Sequence, residues 1–264
     1  MGIDPNILAP EGWHAALAAG EWQMDLGVTE ITGEDPIDRY ALPDTLKSVA
    51  AAVAKAATVG PVALAVDAVQ MARAAAAGAE TLDDLHAAVA AFEGCELKRG
   101  AKTTVFSDGN PAASVLILGE APGREEDAEG RPFVGRAGQM LDLMFAAIGL
   151  SRASPDSAQA LYITNVMPWR PPQNRDPEPE EIAMMRPFVE RHIVLVNPDL
   201  IVCMGNTPCL TLLGTSGILR LRGRWARALG KPVLPMTHPA YLLRNPGAKR
   251  EAWADLLALK GRLG

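Results

Sequence analysis

The chain has 264 residues, 48% of them hydrophobic and 21% charged, which excludes wholesale disorder and leaves enough length to bury a hydrophobic core. Its formal net charge of −6 disfavours binding to a polyanion, yet residues 215–264 hold ten lysines and arginines against two acidic residues. Because local potential steers a charged ligand, this segment either faces phosphates or forms a solvated basic helix. Lys55, Asp67 and Arg73 interrupt the alanine-rich stretch 48–78, so the sequence predicts no membrane span.

The cysteines indicate the compartment. There are three, an odd number without a close pair, which excludes a disulfide framework and indicates a reducing environment. Residues 1–10 contain no basic start followed by an apolar run, so no secretory signal is predicted. We therefore expect a cytoplasmic protein that acts away from membranes, with a monomer as the working expectation for its oligomeric state.

The N-terminal third predicts no chemistry. Residues 1–45 carry proline, glycine and acidic residues with little periodicity, so we expect an extended or partly disordered segment. Residues 46–92 are rich in alanine and predict a helical appendage, broken near Pro61 because proline does not continue a helix. Thr81, followed three residues later by an aspartate, predicts the N-cap of a second helix. The site is expected in the remaining part, residues 93–264.

In that part, short apolar runs alternate with helical patterns. The apolar runs are typical of strands buried on both faces, and they are 114–119, Leu161–Asn165, Leu200–Met204 and 232–237. The helical patterns are 141–148, Pro179–Val196, 207–213 and Lys249–Leu263. This alternation predicts an α/β fold: a three-layer α/β/α sandwich around a central four-stranded parallel sheet, preceded by the alanine-rich helical extension.

Polar residues follow three of the four predicted strands, at the edge where parallel sheets bind their ligands. Glu120, Ala121 and Glu126 come after the first strand. Asn165 ends the second strand, and His238 follows the fourth. Taken singly, residues of these types are more often solvated or structural than catalytic. Together they predict one crevice in which carboxylates, an amide and an imidazole meet.

Five motifs in this part resemble those of the family 4 uracil-DNA glycosylases and occur in the family's order. They are Gly119-Glu-Ala-Pro-Gly123, Gly130-Arg-Pro-Phe-Val-Gly-Arg-Ala-Gly138, Thr164-Asn-Val166, Arg170-Pro-Pro-Gln-Asn-Arg-Asp176 and His238-Pro-Ala-Tyr-Leu-Leu-Arg244. The resemblance covers roughly residues 95–260. It implies a DNA repair enzyme that flips uracil out of DNA and hydrolyses its N-glycosidic bond, leaving an abasic site. Uracil-containing DNA is the implied partner.

The resemblance assigns three residues to the uracil itself. Phe133 would stack on the flipped base, although a core phenylalanine is the alternative. Asn165 would pair with the uracil edge, or else cap a strand end. His238 would donate a hydrogen bond to the negative oxygen that develops on uracil. Ala121 stands in the same pocket, where the best-studied branch of the superfamily has an aspartate.

The resemblance also implies groups for water activation and for DNA contacts. Because Ala121 cannot bind water as an aspartate does, another acid would position the water, either Glu120 or Glu126. The acid of this pair that does not position the water would only fix the loop. Leu242 resembles the wedge that fills the gap left by the flipped base, unless it is an ordinary apolar helix residue. The other residues assigned to DNA are Arg170, Asn174 and Arg244, the last of them as a phosphate ligand.

Family 4 members usually hold a four-iron cluster on four cysteines. Cys95 matches the first of these positions, but Lys98, Trp169 and Met185 stand at the other three. A single thiolate does not hold such a cluster, so we predict neither an iron–sulfur cluster nor any other metal or cofactor. Trp169 and Met185, together with Met184, are expected to pack in its place.

Two other functions stay open from the sequence. The altered cysteine positions and Ala121 are also consistent with a non-catalytic module that binds uracil or abasic DNA. A hydrolase of free nucleosides would use the same pocket. The basic C-terminal segment disfavours the hydrolase, because small uncharged substrates need no phosphate contacts.

Overall fold

The computed structural model describes residues 61–263, so the predicted segment 1–45 and residues 46–60 lie outside it. The helices are α1 Pro61–Gly78, α2 Leu82–Ala91, α3 Leu97–Gly100, α4 Arg124–Glu129, α5 Arg136–Ala146, α6 Pro179–Val196, α7 Asn206–Leu213, α8 Ile218–Leu221, α9 Pro239–Arg244 and α10 Lys249–Leu263. The strands are β1 Ser107–Gly109, β2 Val115–Gly119, β3 Leu161–Asn165, β4 Leu200–Met204, β5 Ala226–Ala228 and β6 Lys231–Met236. None of the helices in this range combines the length and apolarity needed to cross a bilayer.

The strands form one sheet in the order β1-β3-β2-β4-β6-β5. Its inner strands β3, β2, β4 and β6 run parallel, which confirms the predicted four-stranded parallel sheet. The edge strands β1 and β5 run antiparallel to their neighbours and are absent from the prediction. Each has only three residues and stays partly exposed, so neither has the continuous apolar run that identifies a buried strand.

Alternate residues of β2 face two separate hydrophobic cores. Leu116 and Leu118 belong to the first core, together with side chains of α1, α2, α6 and α7. Val115 and Ile117 belong to the second core, together with side chains of α5, α9 and α10. Successive side chains of a strand point to opposite faces, so an apolar strand buries both faces of its sheet under helices. The result is the predicted three-layer α/β/α sandwich.

Helices α1 and α2 form part of the first core. α1 begins at Pro61, where the proline predicts a helix boundary, and its Ala72 is fully buried against this core. Thr81 caps α2, since its Oγ1 accepts a hydrogen bond from the Asp84 amide at 3.1 Å. Side chains of α1 and α2 thus share the first core with residues that follow position 92. The small alanine side chains let α1 pack closely on α6, so these helices cover the sheet with the rest of that layer.

The carboxyl ends of the inner strands meet at one edge of the sheet. Gly119 of β2 lies opposite Asn165 of β3, and Met204 of β4 lies opposite Met236 of β6. The loops that follow these four residues therefore start side by side. Any ligand held by them lies at the position where parallel α/β sheets bind their ligands.

Candidate active site

A cavity of about 830 Å³ opens at this edge of the sheet. The loops after β2, β3, β4 and β6 all contribute to its wall. The residues singled out from the sequence that line it are Glu120, Ala121, Glu126, Phe133, Asn165, Asn174, His238 and Arg244. Arg170 and Leu242 are not among its lining residues.

Asn165 lines the cavity with an unpaired acceptor. The residue is 8% exposed, and its Oδ1 atom is buried without a hydrogen-bond partner in the described part of the chain. Gly119 lies opposite Asn165 in the sheet, and a side chain at Gly119 would collide with the Asn165 amide and the Phe133 ring. Because buried polar atoms are normally paired, an orphan acceptor at the wall of a cavity indicates where a ligand donor binds.

Phe133 lies beside Asn165 and has a strained backbone. Its φ is 53°, in the left-handed region that non-glycine residues rarely adopt, and its ring centroid lies 5.4 Å from that of His238. Arg152 donates hydrogen bonds of 2.9 Å to the carbonyl oxygens of Pro132 and Phe133. An ion pair with Asp108 at 3.0 Å holds the Arg152 side chain, which is 14% exposed. Sequence reasoning missed Arg152 because it lies in a loop outside every motif.

His238 is a neutral imidazole whose tautomer follows from its contacts. Its Nδ1 accepts a hydrogen bond from the Ala240 amide at 3.2 Å, which caps α9. A backbone N–H only donates, so Nδ1 is unprotonated and the proton of the neutral ring is on Nε2. Burial, and after it the charge of Arg244, lower the pKa of His238 to about 4, against an opposing effect of Glu126. The ring therefore stays neutral at physiological pH, with Nε2–H as its donor.

Glu126 fixes the loop at the cavity wall. Its two carboxylate oxygens accept hydrogen bonds from the amides of Gly123, Val134 and Gly135, at 2.9 to 3.0 Å. These contacts join the start of α4 to the turn that precedes α5. Since both oxygens of Glu126 are engaged with the backbone, this acid matches the loop-fixing role that the sequence left open between Glu120 and Glu126.

Glu120 has a different environment. One of its oxygens, Oε2, accepts a hydrogen bond from the Thr207 hydroxyl at 2.6 Å, and no residue of the described range donates to its other oxygen. Burial raises the pKa of Glu120 above its ordinary value of 4.5; the Thr207 hydrogen bond opposes this shift, and the charge of Asp176 adds to it. A carboxyl with a raised pKa and an unengaged oxygen at a cavity wall suits a general base.

Sequence reasoning missed Thr207, although the same strand-end rule identifies it. Gly205, Asn206 and Thr207 follow β4, which is the one inner strand whose end was left without a predicted polar residue. Gly205 has a φ of 102° and lies against the His238 side chain, so that this turn reaches both His238 and, through Thr207, Glu120.

The two neighbouring leucines of α9 have different environments. Leu242 is fully buried in the second core, whereas Leu243 is 37% exposed and lines the cavity. Successive residues of a helix are turned by about 100°, so only one of two neighbouring leucines in α9 faces the sheet. In this structure Leu242 packs in the core under the site.

The predicted DNA-contacting polar residues lie at the cavity or next to it. Arg244 and Asn174 line the cavity. Arg170 does not, but its Nε donates a hydrogen bond to Asn174 Oδ1 at 2.7 Å. Asn174 has a φ of 54°, so this contact helps to hold a strained turn.

Comparison with known proteins identifies the family of this chain. A model of the uracil DNA glycosylase superfamily matches residues 106–257. The chain belongs to this superfamily. It is 36% identical over 187 residues to a type-4 uracil-DNA glycosylase of Archaeoglobus fulgidus, covering 67% of this chain and 90% of that protein. It is also similar to type-4 enzymes of Thermotoga maritima, at 40% identity over 57% of this chain and 77% of the relative, and of Sulfurisphaera tokodaii, at 35% over 65% and 80%.

In this superfamily member, the positions that match the cluster cysteines of family 4 do not fit an iron–sulfur cluster. Cys95, Trp169 and Met185 are buried in the first core, and Trp169 Nε1 donates a hydrogen bond to Thr104 at 3.1 Å. Lys98 pairs with Glu93. Burial raises the pKa of the Cys95 thiol to about 11. One thiol with an indole, a thioether and an ammonium does not form the ligand set of such a cluster.

Purified protein should therefore contain no stoichiometric iron or acid-labile sulfide. Iron analysis and the visible absorption spectrum of freshly purified, anaerobically handled protein measure this directly. As a control, treatment with a chelator should leave the melting temperature unchanged, because no metal contributes to folding. Iron and sulfide present in equal, stoichiometric amounts would contradict the prediction.

Proposed function

We propose that this superfamily member is a monofunctional DNA repair enzyme that hydrolyses the N-glycosidic bond of uracil in DNA and leaves an abasic site. The observation that carries this proposal is the orphan acceptor of Asn165, in a cavity shared with Phe133 and His238. The similarity to type-4 uracil-DNA glycosylases supports it. A base must leave the DNA stack to reach such a cavity, so catalysis requires base flipping.

The Asn165 amide suits the edge of uracil. Its Oδ1 would accept a hydrogen bond from uracil N3–H, while its amide nitrogen would donate to uracil O4. Cytosine reverses this pattern, since its N3 accepts and its amino group donates, so in the same orientation of the amide both groups of Asn165 would remain unpaired. Unpaired buried polar groups give strong discrimination. Phe133 would stack on the face of the same base, which holds it without reading its edge.

The chemistry divides between His238 and Glu120. As the C1′–N1 bond breaks, N1 leaves with the electron pair, and Nε2–H of His238 would donate to the negative oxygen of the departing uracil. Water then forms a bond to C1′ of the oxocarbenium-like sugar and gives its proton to Glu120. Thr207 would orient the Glu120 carboxylate for this step.

We further propose how the DNA is held. Leu243 would take the wedge position, because it is the leucine of α9 at the cavity. Arg244 would bind a phosphate, and Arg170 would position Asn174. We also propose that the protein acts as a monomer. The cysteines in the described range are buried free thiols that form no disulfide, which supports a cytoplasmic location; they are Cys95, Cys203 and Cys209.

The test is a base-release assay on oligonucleotides that contain uracil opposite each of the four bases, with hypoxanthine and xanthine substrates alongside. Release of free uracil, with a DNA product that alkali cleaves at the abasic site, is the expected result. DNA binding without base release would instead support a non-catalytic module. Release of uracil from free nucleosides, insensitive to salt, would support a nucleoside hydrolase.

Replacing Asn165 with alanine should lower kcat/KM for uracil release by roughly 10- to 100-fold, as expected for two lost hydrogen bonds to a buried ligand. The melting temperature should stay close to that of the unaltered protein, because Asn165 Oδ1 makes no hydrogen bond to the described residues. Steady-state kinetics and thermal unfolding measure the two effects. Full activity of the alanine variant would remove Asn165 from the site.

A further inference from the structure

The segment between α7 and β6 carries an uncompensated positive charge beside the cavity. Residues 217–231 contain no aspartate or glutamate, and their basic residues are Arg220, Arg222, Arg224, Arg227 and Lys231. We call Arg220 and Arg224 the mouth arginines, and Arg227 and Lys231 the distal pair.

Arg222 is engaged within the protein. Its guanidinium donates to both carboxylate oxygens of Asp255 on α10, at 3.0 and 2.6 Å, and the side chain is mostly buried. This contact neutralises Arg222 and holds the segment against α10. By contrast, the mouth arginines are exposed and form no ion pair with any residue in the described range. A positive charge without an acidic partner at the surface is free to bind an anion.

The mouth arginines lie at the cavity end of the sheet. Asn206 Oδ1 accepts hydrogen bonds from the amides of Gly217 and Ile218, at 3.0 and 2.8 Å, and Ile218 lines the cavity. The amide of Gly223 donates to the carbonyl of Pro235 at 3.0 Å, close to the carboxyl end of β6. The backbone of Arg220 and Arg224 therefore lies toward the edge of the sheet at which the cavity opens, two residues after Ile218 and one residue after Gly223.

The distal pair lies at the opposite end of β6. β5 runs antiparallel to β6, so that Arg227 pairs with Pro232 and Ala228 pairs with Lys231 at the start of β6. The parallel strands place their carboxyl ends at the cavity, and these residues are therefore away from it. Mouth and distal positions thus carry equal charge on one segment but at different distances from the site.

We propose that Arg220 and Arg224 bind phosphates of the DNA that flanks the flipped nucleotide, and so extend the contact surface beyond Arg244. The proposal rests on DNA as the substrate. DNA fits this surface because its backbone is a row of phosphates, and paired guanidinium groups bind phosphate oxygens well. It also accounts for the positive charge of the C-terminal segment in a chain whose net charge is −6.

The experiment compares two double variants that lose the same charge. One is Arg220→Gln with Arg224→Gln, and the matched control is Arg227→Gln with Lys231→Gln. Binding of a fluorescein-labelled, uracil-free oligonucleotide is measured by anisotropy over a series of salt concentrations, and uracil release is measured at saturating DNA. Thermal unfolding of both variants monitors folding.

The mouth variant should lower the slope of log Kd against log salt by about 1.5 to 2, and weaken binding about tenfold or more at 0.1 M salt. The distal control should bind like the unaltered protein and release uracil with the same kcat. Equal losses of DNA affinity in both double variants, or no loss of affinity in either, overturn the proposal. Because the probe contains no uracil, binding is scored independently: a protein that releases no uracil but shows the mouth effect refutes the proposed reaction while keeping the surface.

Discussion

The His238→Ala variant should release uracil about 10²- to 10³-fold more slowly at saturating DNA, the size of effect seen when one donor to a developing oxyanion is removed. The donor is Nε2–H, because Nδ1 accepts from the Ala240 amide. Since the pKa of His238 is lowered to about 4, the neutral ring should act throughout the neutral range. The rate should therefore show no step near pH 6.5, the ordinary pKa of histidine.

Two further variants separate catalysis from folding. Alanine at position 238 also removes the N-cap of α9, which costs about 1 kcal/mol, so some loss of melting temperature is expected. His238→Asn keeps an acceptor for the Ala240 amide and should restore stability without restoring the rate. His86→Ala, at an exposed histidine outside the cavity, should leave kcat unchanged. A His238→Asn variant with normal kcat would exclude the proposed role.

The parallel sheet was predictable because its strands are continuous apolar runs. Val115–Gly119 and Leu200–Met204 are buried at every position, so their composition alone distinguishes them from amphipathic helices. The edge strands depend instead on pairing with one neighbour. Ser107–Gly109 contains no apolar residue, and no local pattern indicates that β3 will bind it.

The convergence of the site residues was predictable from topology, but their individual roles were not. Parallel strands place their carboxyl ends together, which brings the Asn165 and His238 loops to one cavity. Choosing between Glu120 and Glu126 required hydrogen-bond partners that lie far away in sequence, such as Thr207. Choosing between adjacent leucines required the rotation of a six-residue helix, which a motif does not specify.

Replacing Glu120 with glutamine should lower kcat by about 10²- to 10⁴-fold, the range expected for the loss of a general base. Glutamine keeps an acceptor for the Thr207 hydroxyl, so the site geometry is retained while proton uptake is lost. In the unaltered protein the rate should fall as the pH drops through the pKa of Glu120, which lies above 4.5. Single-turnover rates measured over the acidic range record this fall, which is the acidic limb of the pH–rate profile.

Thr207→Val tests whether the hydrogen bond from Thr207 to Glu120 determines the pH at which the acidic limb of the rate profile lies. The Thr207 hydroxyl favours the charged carboxylate and therefore lowers its pKa, so its removal should move the acidic limb to higher pH. Thr207→Ser retains the hydroxyl and should return the limb to its original place. A limb that stays fixed in the valine variant would assign it to another group.

Stability distinguishes Glu120 from Glu126. Burial raises the pKa of Glu120, so the folded protein binds a proton at this carboxyl more readily than the unfolded chain does. The free energy of unfolding therefore falls as the pH rises through the pKa values of Glu120 in the unfolded and folded states, because the buried carboxyl ionises. Glu120→Gln should therefore raise the melting temperature at neutral pH. Glu126→Gln should lower it, because its amide nitrogen cannot accept the backbone hydrogen bonds that the carboxylate receives. If the Glu120→Gln variant is less stable and keeps an unchanged kcat, another group must activate the water.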